Sequence, residues 1–252
     1  PMSDAAPIIV HNEPLVPLPT DEADLALKLA DPEWRLFSGC LYKIMVKGDD
    51  EAEEAMVMPF KPNLAQRRFI TRLWHRNLIL KARQLGFTTL IAILWLDHAL
   101  FNADQRCGII AQDRDAAKVI FRDKVKFAYT NLPEQLRERF PLAADNADEL
   151  LFAHNNSSIR VATSMRSGTI HRLHVSEFGK ICAKYPDKAK EVVTGSIPAV
   201  PTNGILVIES TAEGREGEFF NMVEQAQKLH AAKLPLTPKD YRFHFYAWWQ
   251  EP

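Results

Sequence analysis

Three cysteines, Cys40, Cys107 and Cys182, are the whole thiol content of this 252-residue chain. Odd in number and widely spaced, they exclude a disulfide framework and read as reduced thiols used for packing. Long apolar runs are also missing. None approaches the roughly 20 residues that span a bilayer, and residues 1–6 have neither the basic nor the apolar region of a signal peptide. The expectation is an intracellular protein with no membrane partner, and the opening Pro1-Met2 pair reads as a tag remnant ahead of the natural start. A charge excess of either sign is absent as well. With 31 basic against 32 acidic residues, the net charge is -1, which excludes a generally cationic DNA-coating protein and makes any polyanion site local. No internal repeat is visible.

What remains is the composition of a soluble globular domain, 46% hydrophobic and 25% charged, long enough to bury a sizeable core. Residues 7–20 hold four prolines and read as an extended arm before a helix at 21–30. "LYKIMVK" (41–47) and "AMVMPF" (55–60) flank an acidic turn like two strands of a hairpin. From residue 63 the pattern becomes regular: a helix at 63–74, the strand "NLILKA" (77–82), an apolar helix at 88–101, the strand "RCGIIAQ" (106–112) and a long helix at 114–131. After a polar stretch at 143–148 come the hairpin strands "ELLFAHN" and "SSIRVAT", then the strand "RLHVSEF" (172–178), a helical segment at 187–197, the strand "GILVIEST" (204–211) and a helix at 216–233. Short apolar strands alternating with helices indicate a three-layer α/β domain with a largely parallel sheet, whose ligands bind at the strands' carboxyl ends.

Between the strand at 77–82 and the helix at 88–101 lies "KARQLGFTTL". A phosphate loop needs a tight turn after a strand, with backbone N–H groups and a helix N-terminus aimed at the anion. Gly86 fits the second glycine of the G-x-x-x-x-G-K-[ST] template and Thr88 the magnesium-holding hydroxyl, but Lys81 stands at the first glycine and Phe87 at the lysine. The cation is relocated: Lys81, on the strand end, and Arg83, within the loop, are placed to meet phosphates. An ATPase also needs a carboxylate at the end of a neighbouring strand to orient the attacking water, and "RLHVSEF" supplies Glu177 as general base. The residue before it, where an aspartate would steer magnesium, is Ser176, able to hold the metal only weakly or through water. A plain strand-turn-helix, with Glu177 capping the next helix, is the competing reading. Lys118, Arg122 and Lys126 recur every four residues opposite Ile120, Phe121 and Phe127, forming a basic stripe that suits DNA phosphates or is simply a solvated face. His171, His174 and Glu177 have a metal-like spacing, but on a strand residues three apart face opposite ways, which argues against zinc. Trp248 and Trp249 are expected to close the last strand and serve packing, with base stacking the less favoured role.

"KARQLGFTT", "IHRLHVSEFGK" and "VIESTAEG", in that order, make the stretch from about 62 to 249 resemble the ATPase domain of the large terminase subunit of tailed bacteriophages, the motor that packages DNA into procapsids. The resemblance implies a P-loop NTPase of the ASCE/RecA-like kind with a small lid. Its expected division is an arm and hairpin over 1–58, an ATPase core over 59–233, and a lid and linker over 234–252 toward a nuclease domain that this chain stops short of. It implies ATP and Mg2+ as cofactors, with Gln66 reading adenine, residues 81–89 (Lys81, Arg83, Gln84, Leu85, Gly86, Phe87, Thr88 and Thr89) cradling nucleotide, and Thr88 and Ser176 at the metal. Ser210 and Thr211 would form the coupling motif that senses the γ-phosphate, and Arg166, in "SMRSGT", would act as an arginine finger in a neighbouring subunit's site, with Arg172 as a second candidate. The implied partners are double-stranded DNA, the portal protein of the procapsid, the small terminase subunit and further copies of the chain in a ring, all in the host cell cytoplasm. Two alternatives stand beside this: a helicase-like DNA-dependent ATPase, and a non-catalytic scaffold whose degenerate loop has lost nucleotide.

Overall fold

Eight strands form the central sheet of the computed structural model, which describes residues 7–47, 54–166 and 168–247. In chain order they are β4 (Arg76–Lys81), β5 (Arg106–Ile110), β6 (Leu142–Asp145), β7 (Glu149–Phe152), β8 (Ser158–Ala162), β9 (Arg172–Ser176), β10 (Ile205–Ser210) and β11 (Tyr241–Tyr246). Their spatial order is β11-β4-β10-β9-β5-β8-β7-β6. The first six of that order run parallel, and β7 and β6 close one edge in antiparallel fashion. The parallel strands are continuous apolar runs because both faces are covered: Ile109 and Ile110 of β5 and Leu206, Val207 and Ile208 of β10 are fully buried.

A second, three-stranded sheet joins β1 (Ile8–Asn12), β2 (Lys43–Lys47) and β3 (Glu54–Pro59) in the order β1-β3-β2. The expected hairpin is the antiparallel pair β2–β3, while part of the proline-containing arm adds the parallel strand β1. Helices α1 (Glu22–Ala30) and α2 (Pro32–Phe37) follow the arm, and α3 (Leu64–Thr71) and α4 (Phe87–Phe101) bracket β4. α4 is apolar nearly all round, since the sheet covers one side and the N-terminal segments the other. Its one buried charge, Asp97, is held by a bidentate pair with Arg35 of α2 (2.8 Å on each oxygen) and by the Tyr42 hydroxyl at 2.7 Å.

The long helix over 114–130 is a composite. α5 (Arg114–Ile120) and α6 (Phe127–Thr130) are joined by a π-helical segment, Phe121–Lys126. α7 (Glu134–Arg139) leads into β6, an edge strand in a stretch the composition marks as polar. α8 (Phe178–Lys184) and α9 (Pro186–Glu191) fill the crossover after β9, and α10 (Gly217–Ala232) packs beside α8 before the chain returns as β11. β11 pairs with β4 from Tyr241 to Tyr246, so the sheet continues past residue 233, where the core was expected to end. Trp248 and Trp249 lie outside the described residues. All three cysteines are free, Cys40 and Cys107 buried and Cys182 half-buried. No helix among the described residues is long and apolar enough to cross a membrane.

Candidate functional site

β10 lies between β4 and β9, and the three strands end on one edge of the sheet. Register places Glu209 of β10 directly beside Ser176 of β9 on one side and Ile79 of β4 on the other. Three chemistry-bearing strand ends thereby meet: Lys81, the Ser176-Glu177 pair, and 209–211.

Lys81 is the hub. Its ammonium sits 3.1 Å from Glu177 Oε1 and 3.1 Å from Glu209 Oε2, with the side chain almost entirely buried. Burial opposes its charge, but the two carboxylates, Glu209 first, outweigh that and raise its pKa above the ordinary lysine value. Glu209 is wholly buried. Its Oε1 accepts hydrogen bonds from Ser176 Oγ (2.9 Å) and Thr88 Oγ1 (3.2 Å) and contacts His174 Nε2 at 3.2 Å. Desolvation pushes its pKa up, yet the His174 bond, the Lys81 charge and the Ser176 bond together bring it down to about 2. The cluster therefore keeps an ionised carboxylate in the interior.

Glu177 has φ 53° and ψ 46°, a left-handed conformation that costs a non-glycine residue of order 1 kcal/mol or more and is retained where the surroundings over-determine it. The turn aims its carboxylate at Lys81 and, at 3.4 Å, at Lys180. Thr211 Oγ1 approaches Glu177 Oε2 at a long 3.5 Å and donates to Glu213 Oε1 at 3.1 Å. Ser210 is buried, and its Oγ finds no partner among the described residues. A Cβ on Gly179, in the first turn of α8, would meet Ser210 Oγ at 2.8 Å and Thr211 O at 3.2 Å. Glycine there lets α8 lie against the tip of β10.

The loop itself turns through two left-handed residues, Gln84 (φ 62°) and Gly86 (φ 68°), and Gly86 opens α4. Gln66 underlies it: Nε2 donates to Gly86 O at 3.1 Å and, more weakly, to Leu85 O at 3.4 Å, while Oε1 accepts from Asn63 N at 3.0 Å in a reciprocal cap of α3. The amide expected to read adenine thus ties α3 to the loop. Arg83 and Gln84 are exposed, while Leu85 and Phe87 are buried, so the last two offer a ligand only their backbone. The Phe87 ring packs edge-on against Phe69 (centroids 5.8 Å) and tilted against Tyr246 (4.9 Å). The template's lysine position therefore points into the core, which is why its cation has to come from elsewhere. Thr89 accepts from Lys124 Nζ at 2.7 Å, a brace from the π-helical segment to the start of α4.

The remaining candidates lie apart. Arg166 is exposed and ion-paired with Glu191, and that hydrogen bond raises its pKa. Arg172 opens β9, the far end from Glu177. In the basic stripe, Arg122 pairs with Asp123 at 2.6 Å and Lys126 with Asp145 at 2.9 Å, and the widened π segment breaks the four-residue repeat; Lys118 is exposed. His171 and His174 diverge: the Arg106 amide donates to His171 Nδ1, whereas His174 faces Glu209. Sequence reasoning missed Glu209. The available signal was a carboxylate closing the apolar run Ile205–Ile208, since a strand buried on both faces tolerates a charge only where partners await it.

No protein-family model matches the chain, and no curated protein sequence does. Solved structures do. The large terminase ATPase domain of Thermus phage P74-26 superposes with a TM-score of 0.53 at 17% identity over 76% of this chain and 83% of that one. A point mutant of the same domain gives a TM-score of 0.55 at 16% identity over 75% and 81%. The large terminase of bacteriophage HK97 gives 0.56 at 17% identity over 76% of this chain and 40% of its own length. At such identity the likeness is one of fold: a mixed α/β P-loop ATPase fold with a mostly parallel central sheet, like that of terminase ATPase domains.

Proposed function

We propose that the chain hydrolyses ATP with magnesium and acts as the motor domain of a terminase large subunit, translocating double-stranded DNA into a procapsid. The observation that carries this reading is the Lys81 ammonium, held at the end of β4 between Glu177 and Glu209 and beside a left-handed turn into α4. Lys81 and the loop amides bind phosphate oxygens, for which the two carboxylates compete. Arg83, exposed on the loop, adds a second cation. Glu177 takes the proton from a water whose oxygen attacks the γ-phosphorus as the bond to the bridging oxygen breaks, giving ADP and inorganic phosphate. The oxygen donors Thr88 and Ser176 suit magnesium, a hard cation that would neutralise phosphate charge when bound.

Coupling is assigned to Ser210 and Thr211. A hydroxyl beside Glu177 can exchange partners when phosphate leaves, and Gly179 transmits the shift from the tip of β10 to α8. Gln66 moves with the loop it braces. Arg166 is the proposed finger for an adjacent copy in a ring, and the face bearing Lys118, Arg122 and Lys126 the proposed DNA contact. The portal protein and the small subunit are the proposed packaging partners.

Hydrolysis by the assembled protein, with magnesium and intact or forked duplex, tests the reading. Intact duplex should stimulate turnover, and Glu177→Gln should lower it by about 10²-fold or more while nucleotide still binds. Strand separation on the fork would favour a helicase-like enzyme, and turnover indifferent to Glu177 would favour a scaffold.

A further inference from the structure

The template pairs a loop hydroxyl with a carboxylate on a neighbouring strand end to hold magnesium. This chain has the hydroxyl, Thr88, but Ser176 stands at the carboxylate's position. Ser176 does not replace it by itself, since its Oγ is engaged as a donor. What it donates to is Glu209, the residue paired with it across the sheet. The same Glu209 oxygen accepts the Thr88 hydroxyl at 3.2 Å. Its other oxygen lies 3.1 Å from Lys81 Nζ but outside hydrogen-bond geometry, and finds no hydrogen-bond partner among the described residues. A buried ion of this kind is weak ground for stability, because desolvation offsets much of the attraction.

We infer that Glu209 is the magnesium-steering carboxylate of this site, the acidic function having moved one strand over, from position 176 on β9 to position 209 on β10. The inference rests on the proposed nucleotide site and adds a residue to it. Geometry carries it: among the described residues, Glu209 alone touches the loop hydroxyl, the loop-side cation and the serine at the vacated position. The move also places the metal ligand next to Ser210, so metal and coupling motif share one strand tip.

The test is the affinity of the full chain for ADP in EDTA and in magnesium, read by a fluorescent ADP analogue, together with direct Mn2+ binding by electron paramagnetic resonance in the presence of ADP. Wild type should bind the nucleotide in EDTA and more tightly in magnesium. Glu209→Gln, close in shape, should lose about 10- to 100-fold in Mn2+ affinity and most of the tightening that magnesium gives over EDTA. Ser176→Asp in the Glu209→Gln background should restore much of the metal dependence. Thermal unfolding checks the fold of each variant; should Glu209→Gln not fold, Glu209→Asp, which retains the charge but withdraws it by one methylene, should weaken metal binding in the same assays. A magnesium gain and Mn2+ affinity equal to wild type in the Glu209 variant overturns the inference while leaving the nucleotide site standing. Absence of nucleotide binding by wild type in both conditions overturns both.

Discussion

Phe87 shows how one residue reorganises a site. Its ring is buried between Phe69 and Tyr246, so the position that carries a cation in the loop template belongs here to the aromatic core. Restoring the template lysine by Phe87→Lys should therefore destabilise the protein, by at least about 3 kcal/mol in urea unfolding, through lost packing and a buried unpaired charge. His244 offers a second residue-scale prediction. Buried beside Phe69 and bonded to Asn77 Oδ1, it is pushed from 6.5 down to about 3, first by desolvation and then by Arg72, Arg242 and His230. Below pH 6.5 the unfolded chain takes up a proton that the folded chain refuses until near pH 3, so stability from this group is lost as pH falls through that window. The loss is about 2 kcal/mol by pH 5. His244→Phe should flatten that part of the stability–pH curve, since Asn77 Oδ1 keeps the Trp74 amide as donor. Legibility at this scale was uneven. Lys81, Thr88 and Glu177 could be singled out as candidates because Lys81 and Thr88 flank one short loop and Glu177 closes an apolar strand run. Glu209 was not, because its partners come from three other segments and only the sheet order brings them to it.

At the scale of elements, the strands and helices that bound the loop were visible as apolar runs of the right length, and β4, α4, β9 and β10 form where those runs stand. Three features were hidden. β6 is a four-residue edge strand, Leu-Ala-Ala-Asp, with none of the β-branched or aromatic residues that mark a strand, α8 is short and follows a residue in the left-handed region, and the π segment widens a helix whose spacing looks regular until its hydrogen bonds are traced. The attachment of the N-terminal segments to the core was equally invisible, because Arg35, Tyr42 and Asp97 are far apart in sequence. That buried triad pins α2 to α4, the helix that Gly86 opens. Arg35→Met strands Asp97 with only Tyr42 and should cost about 3–5 kcal/mol in chemical denaturation. Arg35→Met with Asp97→Leu, which removes both charges, should recover a large part of it.

For the whole molecule, the fold follows from one constraint: strands buried on both faces must be parallel and joined by helices, and ligands then collect where neighbouring strands end. Nearly everything the resemblance implied about the nucleotide lands on that edge. What it implied about other molecules, through Arg166 and the basic stripe, lies on outer surfaces already engaged by Glu191, Asp123 and Asp145, and no sequence pattern tells such a pair from a docking surface. The account as a whole depends on Lys81 serving phosphate from the strand end in place of a helix lysine. Equilibrium titration of a fluorescent ATP analogue into wild type and Lys81→Ala, with circular dichroism to confirm the fold, tests it most directly. The account predicts saturable one-to-one binding to wild type and a loss of at least about tenfold in Lys81→Ala, as expected when a charge-assisted phosphate contact is removed; unchanged affinity in a folded Lys81→Ala, or no binding to wild type, would contradict it.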